Sequence, residues 1–136
     1  MIKDTIYNDV VEHAKKGLPN ETCGYLAGDG DTINVFYPMT NVDNSPDHFS
    51  FDPKEQFKAV KDARNNQLKI MAVYHSHPVT PARLSQEDLR LLNDPDMVYV
   101  IVSLAESKPD MQGYKIQKLE DRINITHCPL TLVKGD

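Results

Sequence analysis

The chain has 136 residues, 40% of them hydrophobic and 26% charged, with a formal charge of −5. That is enough for one ordinary domain with its own core, and the proportions exclude a disordered or fibrous chain. A negative balance with no Lys/Arg run excludes a nucleic-acid phosphate backbone as partner, and no apolar run reaches the roughly 20 residues of a membrane helix.

The N-terminal stretch MIKDTIYNDVVEHAKKG is amphipathic and mixed in charge, unlike a secretory signal, so a cytoplasmic protein is expected. Within it Ile2, Ile6, Val10 and Ala14 recur at helical spacing, and Gly17 with Pro19 stops the helix, which predicts a helix over 2–16. TCGYLAG and TINVFYPM flank Asp29, Gly30 and Asp31 and read as a hairpin. Residues 41–47 are rich in Asn, Asp, Ser and Pro and read as a loop, with HFSFD as a short strand after it. Asp52 as N-cap and Pro53 in the first turn begin a second helix ending near Asn66.

KIMAVYH is short, apolar and β-leaning, a central strand that delivers His75 to its end. A short third helix begins near Ser85, and MVYVIVSL, MQGYKIQKL and NITHCPL read as further strands. Helices and strands interleave, so the expected fold is α/β: a mixed sheet flanked by helices in a single domain over 1–136. Cys23 and Cys128 form no CxxC and are expected to be reduced and structural.

The segment HSHPVTPARLSQED, residues 75–88, concentrates two His, a Ser and an acid. In extended backbone His75 and His77 project to the same side, about 7 Å apart along the strand, and can converge on one zinc ion. Catalytic zinc takes imidazole and carboxylate ligands, usually three, and leaves the fourth position to water or substrate. Asp88 is the nearest third ligand, and on a helix starting at Ser85 it shares a face with that serine. SQED reads equally as a capping box, with Leu84 and Leu89 as its hydrophobic staple, and the two histidines alone could be a solvated strand end. Those alternatives stay open at this level. His13, His48 and His127 have no acid or Cys in ligand spacing and are assigned to structure or surface.

HSHP, six residues, Ser, two residues and Asp together resemble the JAMM signature HxHPxxxxxxSxxD at every fixed position. Five fixed positions in one window arise by chance in a chain of this length about once in 10⁵. NETCGYLAG resembles the ExCGxLxG segment of small bacterial members, which puts Glu21 at the family's upstream glutamate. The stretch from Asn41 to Pro78 is also similar to that branch, so the resemblance covers almost the whole chain. Leu84 departs from it, because many bacterial relatives carry proline directly before the serine.

The resemblance to the JAMM (MPN-plus) metallopeptidases implies a fold similar to cytidine deaminase. It also implies one zinc ion per chain on His75, His77 and Asp88, with Glu21 as general base and Ser85 stabilising the oxyanion. Its small bacterial branch implies, as partner, the C-terminal Gly-Gly tail of a ubiquitin-like sulfur carrier. Rival expectations are a metal-free MPN scaffold for protein assembly and a zinc hydrolase of small peptides or amides. A zinc deaminase would need HxE followed by PCxxC, which is missing here.

Overall fold

A computed structural model describes residues 1–135. The elements run β1 (Ile2–Lys3), α1 (Asp4–Lys16), β2 (Cys23–Asp29), β3 (Thr32–Met39), α2 (Pro53–Asn65), β4 (Lys69–His77), α3 (Gln86–Leu91), β5 (Val98–Ser103), β6 (Asp110–Lys118), β7 (Ile123–His127) and β8 (Leu132–Val133). All eight strands form one sheet in the order β7-β6-β5-β4-β2-β3-β1-β8. β4 and β5 run parallel, while β2 is antiparallel to both β3 and β4, so the sheet is mixed as expected.

Three expectations are corrected. Ile2 is not helical: it lies in β1, wholly buried between Ile33 of β3 and Leu132 of β8, and the helix starts at Asp4. Its spacing to Ile6 fits a helix, but pairing on two sides satisfies its backbone and burial better. HFSFD forms no strand; it makes one bridge, Asn41 to Phe51, that closes the loop on itself. Strand β8 lies beyond the expected NITHCPL segment, of which only the first part, β7, is extended.

The hairpin turns at Gly30, whose φ of 65° suits a residue without Cβ. At Gly28, beside a register shift in β2, an added Cβ would lie 1.9 Å from the Thr32 carbonyl oxygen, so no side chain fits there. Asp52 caps α2 by accepting from the Lys54 N–H at 2.9 Å, with Pro53 in the first turn.

β4 is central and buried on both faces, and its alternation sorts the core into two layers. Ala72 and Tyr74 face α1, packing with Val10, Ala14, Leu26, Val100 and Val102. Val73 faces the other way, into a layer with Cys23, Tyr25, Ala59 of α2, Tyr99 and Ile116, against which Leu84 and Leu89 also pack. The same two-residue period carries His75 and His77 onto that second face. Cys23 is a free, wholly buried thiol, as expected, while the free Cys128 is only half-buried. No helix among the described residues is long and apolar enough to cross a membrane.

Candidate metal centre

Asp88, 4% exposed, reaches the end of β4 because α3 folds back over it. Its Oδ1 lies 3.1 Å from His75 Nε2 and its Oδ2 lies 3.0 Å from His77 Nε2. The two Nε2 atoms are themselves 3.1 Å apart, and both imidazoles are shut from solvent. Among the described residues this is the only group of three or more His, Cys, Asp or Glu that could hold a metal.

The donor set fits a catalytic zinc. Bonds of about 2.0–2.1 Å place tetrahedral ligand atoms about 3.3 Å apart, close to the 3.0–3.1 Å between these donors. The His77 Nδ1–H donates to the Pro81 carbonyl at 2.9 Å, which leaves the Nε2 lone pair facing the cluster. His75 is oriented by packing instead: Phe49 stacks on it at 4.9 Å and 22°, and its buried Nδ1 has no hydrogen-bond partner.

The electrostatics follow from burial and shared charge. Burial holds the His75 imidazole below its ordinary value, against the pull of Asp88. Burial also acts to lower His77, but its bonds to Asp88 and Pro81 and the nearby carboxylates outweigh it and raise that group. For Asp88 burial acts upward, yet the hydrogen bonds from both histidines and from the Ser85 N–H keep it well below the carboxylate range.

The two readings of Ser85 and Asp88 are compatible in one geometry. The capping box exists: the Asp88 N–H donates to Ser85 Oγ, and the Ser85 N–H donates to Asp88 Oδ2, each at 3.0 Å. That Oδ2 is also the atom nearest His77 Nε2, so the cap aims the carboxylate into the cluster. Ser85 Oγ acts as acceptor in the cap, which leaves its own hydrogen free to donate.

Glu21 comes from the segment before β2 and joins His77 and Ser85 on the wall of one cleft of about 390 Å³, which Asp47 and Glu87 also line. The side chain is 4% exposed and its Oε1 is buried without a partner. Burial pushes its carboxyl up to about 8; His77 opposes this, and Asp88 and Asp47 add to it.

Its backbone is clamped on both sides. The Glu21 N–H donates to the Ser45 carbonyl at 2.8 Å, and Asn41 Nδ2 donates to the Glu21 carbonyl at 3.0 Å. Asn41 also donates to the His48 carbonyl and accepts from the Asp43 and Ser50 N–H groups, so its amide is fully used. Next along the chain, the Thr22 N–H donates to Ser76 Oγ at 2.8 Å and the Thr22 carbonyl accepts from the Ser76 N–H at 3.0 Å. Ser76 sits between the two histidines, so Glu21 is registered directly against them.

The structure thus brings together all five residues singled out from the sequence. Asn41, Phe49 and Ser76 were missed, because nothing in an Asn, a Phe or a Ser read alone marks it as a neighbour of the cluster. The other histidines stay outside: His13 meets the Tyr74 hydroxyl, His48 pairs with Asp43, and His127 meets Gln112.

Residues 4–117 match the family of prokaryotic homologs of the JAB domain. The chain belongs to that family. The CysO-cysteine peptidase of Mycobacterium tuberculosis is 34% identical over 119 residues, spanning 85% of this chain and 82% of the relative. The desampylase of Haloferax volcanii is 31% identical over 103 residues, spanning 71% and 74%. A solution structure of a Desulfitobacterium hafniense protein superposes with a TM-score of 0.87 at 42% identity, covering 98% of this chain and 92% of that one. This JAB-domain chain is therefore a hydrolase of the JAMM peptidase type, and His75, His77 and Asp88 form a cluster compatible with a metal.

Proposed function

We propose that His75, His77 and Asp88 hold one zinc ion, and that the enzyme hydrolyses the amide bond after the C-terminal Gly-Gly of a ubiquitin-like sulfur carrier. The observation that carries this is one cleft wall lined by Glu21, with its unpartnered buried carboxylate oxygen, by Ser85 and by His77 of the three-donor cluster. Zinc, when bound, lowers the pKa of its water and polarises the scissile carbonyl.

The remaining chemistry falls to the chain. Glu21, a buried carboxylate with an unpartnered oxygen beside His77 and Ser85 on the cleft, would take a proton from the attacking water once a cation holds it ionised, and pass that proton to the leaving amine. Ser85 donates to the oxygen that becomes negative as the carbonyl is attacked. Asp88, held ionised by its histidines, supplies negative charge to the cation and needs no proton change. Pro46, Pro78 and Val79 line the cleft beside these groups, and a tail of glycines, without side chains, would bring its backbone against them.

The relatives' names support the substrate class: a CysO-cysteine peptidase, a desampylase and a probable TtuB-protein conjugate cleaving protease of Thermus thermophilus. One sheet spanning residues 2–133 supports a single domain over the whole chain. Two free thiols suit a reducing cytoplasm, where we place the protein.

The test is elemental analysis of wild type and His77→Ala, followed by incubation with a carrier bearing cysteine or a lysine-linked protein after its Gly-Gly. About one zinc per wild-type chain, lost in the variant, with release of the carrier only by wild type, is expected. A wild type that takes up no zinc when it is offered would favour the scaffold reading instead. Zinc uptake with cleavage of short peptides but no carrier would reassign the substrate.

A further inference from the structure

We infer that Ser103 and Tyr114 are positioning residues for the metal centre, locking the loop between β4 and α3 so that the Pro81 carbonyl fixes the His77 ring. The inference rests on the zinc reading above.

Three consecutive carbonyls of that loop each accept from a side chain of a different strand. The Thr80 oxygen accepts from Ser103 Oγ of β5 at 2.6 Å. The Pro81 oxygen accepts from His77 Nδ1 of β4 at 2.9 Å, and the Ala82 oxygen from the Tyr114 hydroxyl of β6 at 2.6 Å. Each peptide unit is a rigid plane hinged to the next at a Cα, so fixing the first and third carbonyls, with the Arg83 N–H also donating to the Pro81 oxygen at 2.8 Å, leaves the Pro81 carbonyl little freedom to turn.

Ser103 is well placed for this work. It is buried, lies opposite His77 in the β4–β5 register, and is followed by Leu104, whose N–H donates to the His77 carbonyl at 3.0 Å. The end of β5 therefore grips both the ligand's own backbone and the loop that orients its ring. Ser103 Oγ also accepts from the Ala105 N–H, so its proton is directed to Thr80.

Neither hydroxyl belongs to the donor cluster, which separates positioning from ligation. Their action is indirect: when the Pro81 carbonyl drifts, the His77 ring loses the bond that holds the proton on Nδ1 and the lone pair on Nε2. Groups that orient a ligating histidine in this way are typically worth about 10–100-fold in metal affinity.

The test titrates zinc into metal-free Tyr114→Phe and Ser103→Ala in competition with a chromophoric chelator, with thermal unfolding of the same metal-free samples beside it. The expected result is zinc affinity lowered about tenfold or more in each variant, while the folded fraction at the assay temperature stays that of wild type. Affinities of both variants within about twofold of wild type would overturn the inference. So would a loss that only tracks the unfolded fraction, which would assign the hydroxyls to the fold alone. If Ser103→Ala does not fold, Tyr114→Phe, a half-buried site that loses one atom, decides. Wild type that binds no zinc overturns the zinc reading, and this inference with it.

Discussion

Glu21 is a carboxylate held where water does not solvate it, and that placement has a measurable signature. Its folded-state value near 8 lies above its ordinary 4.5, so the protonated form is favoured in the folded chain. Stability from this group is complete below about pH 4.5 and is lost as pH rises through 8. Glutamine carries no such proton. Metal-free Glu21→Gln should therefore gain stability relative to metal-free wild type across that window, by a few kcal/mol at most. Denaturant unfolding at several pH values measures this, and a flat difference would show that Glu21 is solvated. With zinc bound, the same variant should keep its metal and lose about 10²–10⁴ in turnover, the worth of a general base.

At the scale of an element, α3 is where structural and chemical duties overlap. Ser85 caps the helix and also faces the cleft, so its two roles need separating. Ser85→Ala should cost about 1 kcal/mol of stability from the lost cap and about 10²–10³ in turnover from the lost oxyanion donor. Ser85→Asp restores a side-chain acceptor but has no proton to donate, so stability should recover while activity does not. Recovery of both would reduce Ser85 to a cap. The cap itself was readable, since SQED after Leu84 is a capping signature. That the cap and the cluster share Asp88 Oδ2 was not, because the direction in which α3 folds back depends on Ser103, Tyr114 and the burial of Leu84 and Leu89.

At the scale of the molecule, the centre depends on strand order. β2 lies next to β4, with Cys23 opposite His75, which sets Glu21 two residues beyond the ladder and beside the histidines. Because the donors converge only in this fold, zinc at the proposed site would bind the folded chain in preference to the unfolded one. Zinc at about 100 times its dissociation constant should stabilise by about 2.7 kcal/mol, or roughly 10 °C in Tm for a domain of this size. His77→Ala should show no such shift. A scan of Tm against free zinc checks both, and an equal shift in wild type and variant would place the metal elsewhere.

The elements that close through neighbouring residues were legible in advance. Asp52-Pro53 opening α2, Asp-Gly-Asp turning the hairpin, and the two-residue period that puts His75 and His77 on one face all rest on local backbone geometry, which a short segment decides alone. The proposed ligand triad and Ser85 could be singled out for the same reason, since they fall within fourteen consecutive residues, 75–88. Glu21 was reached only through the family resemblance. Its neighbours Asn41, Phe49 and Ser76, the loop donors Ser103 and Tyr114, and the pairing of Ile2 with Ile33 and Leu132 were decided by tertiary structure. Those contacts join segments distant in sequence, and their free energy comes from burial and hydrogen bonds that exist only once the strands have taken their order.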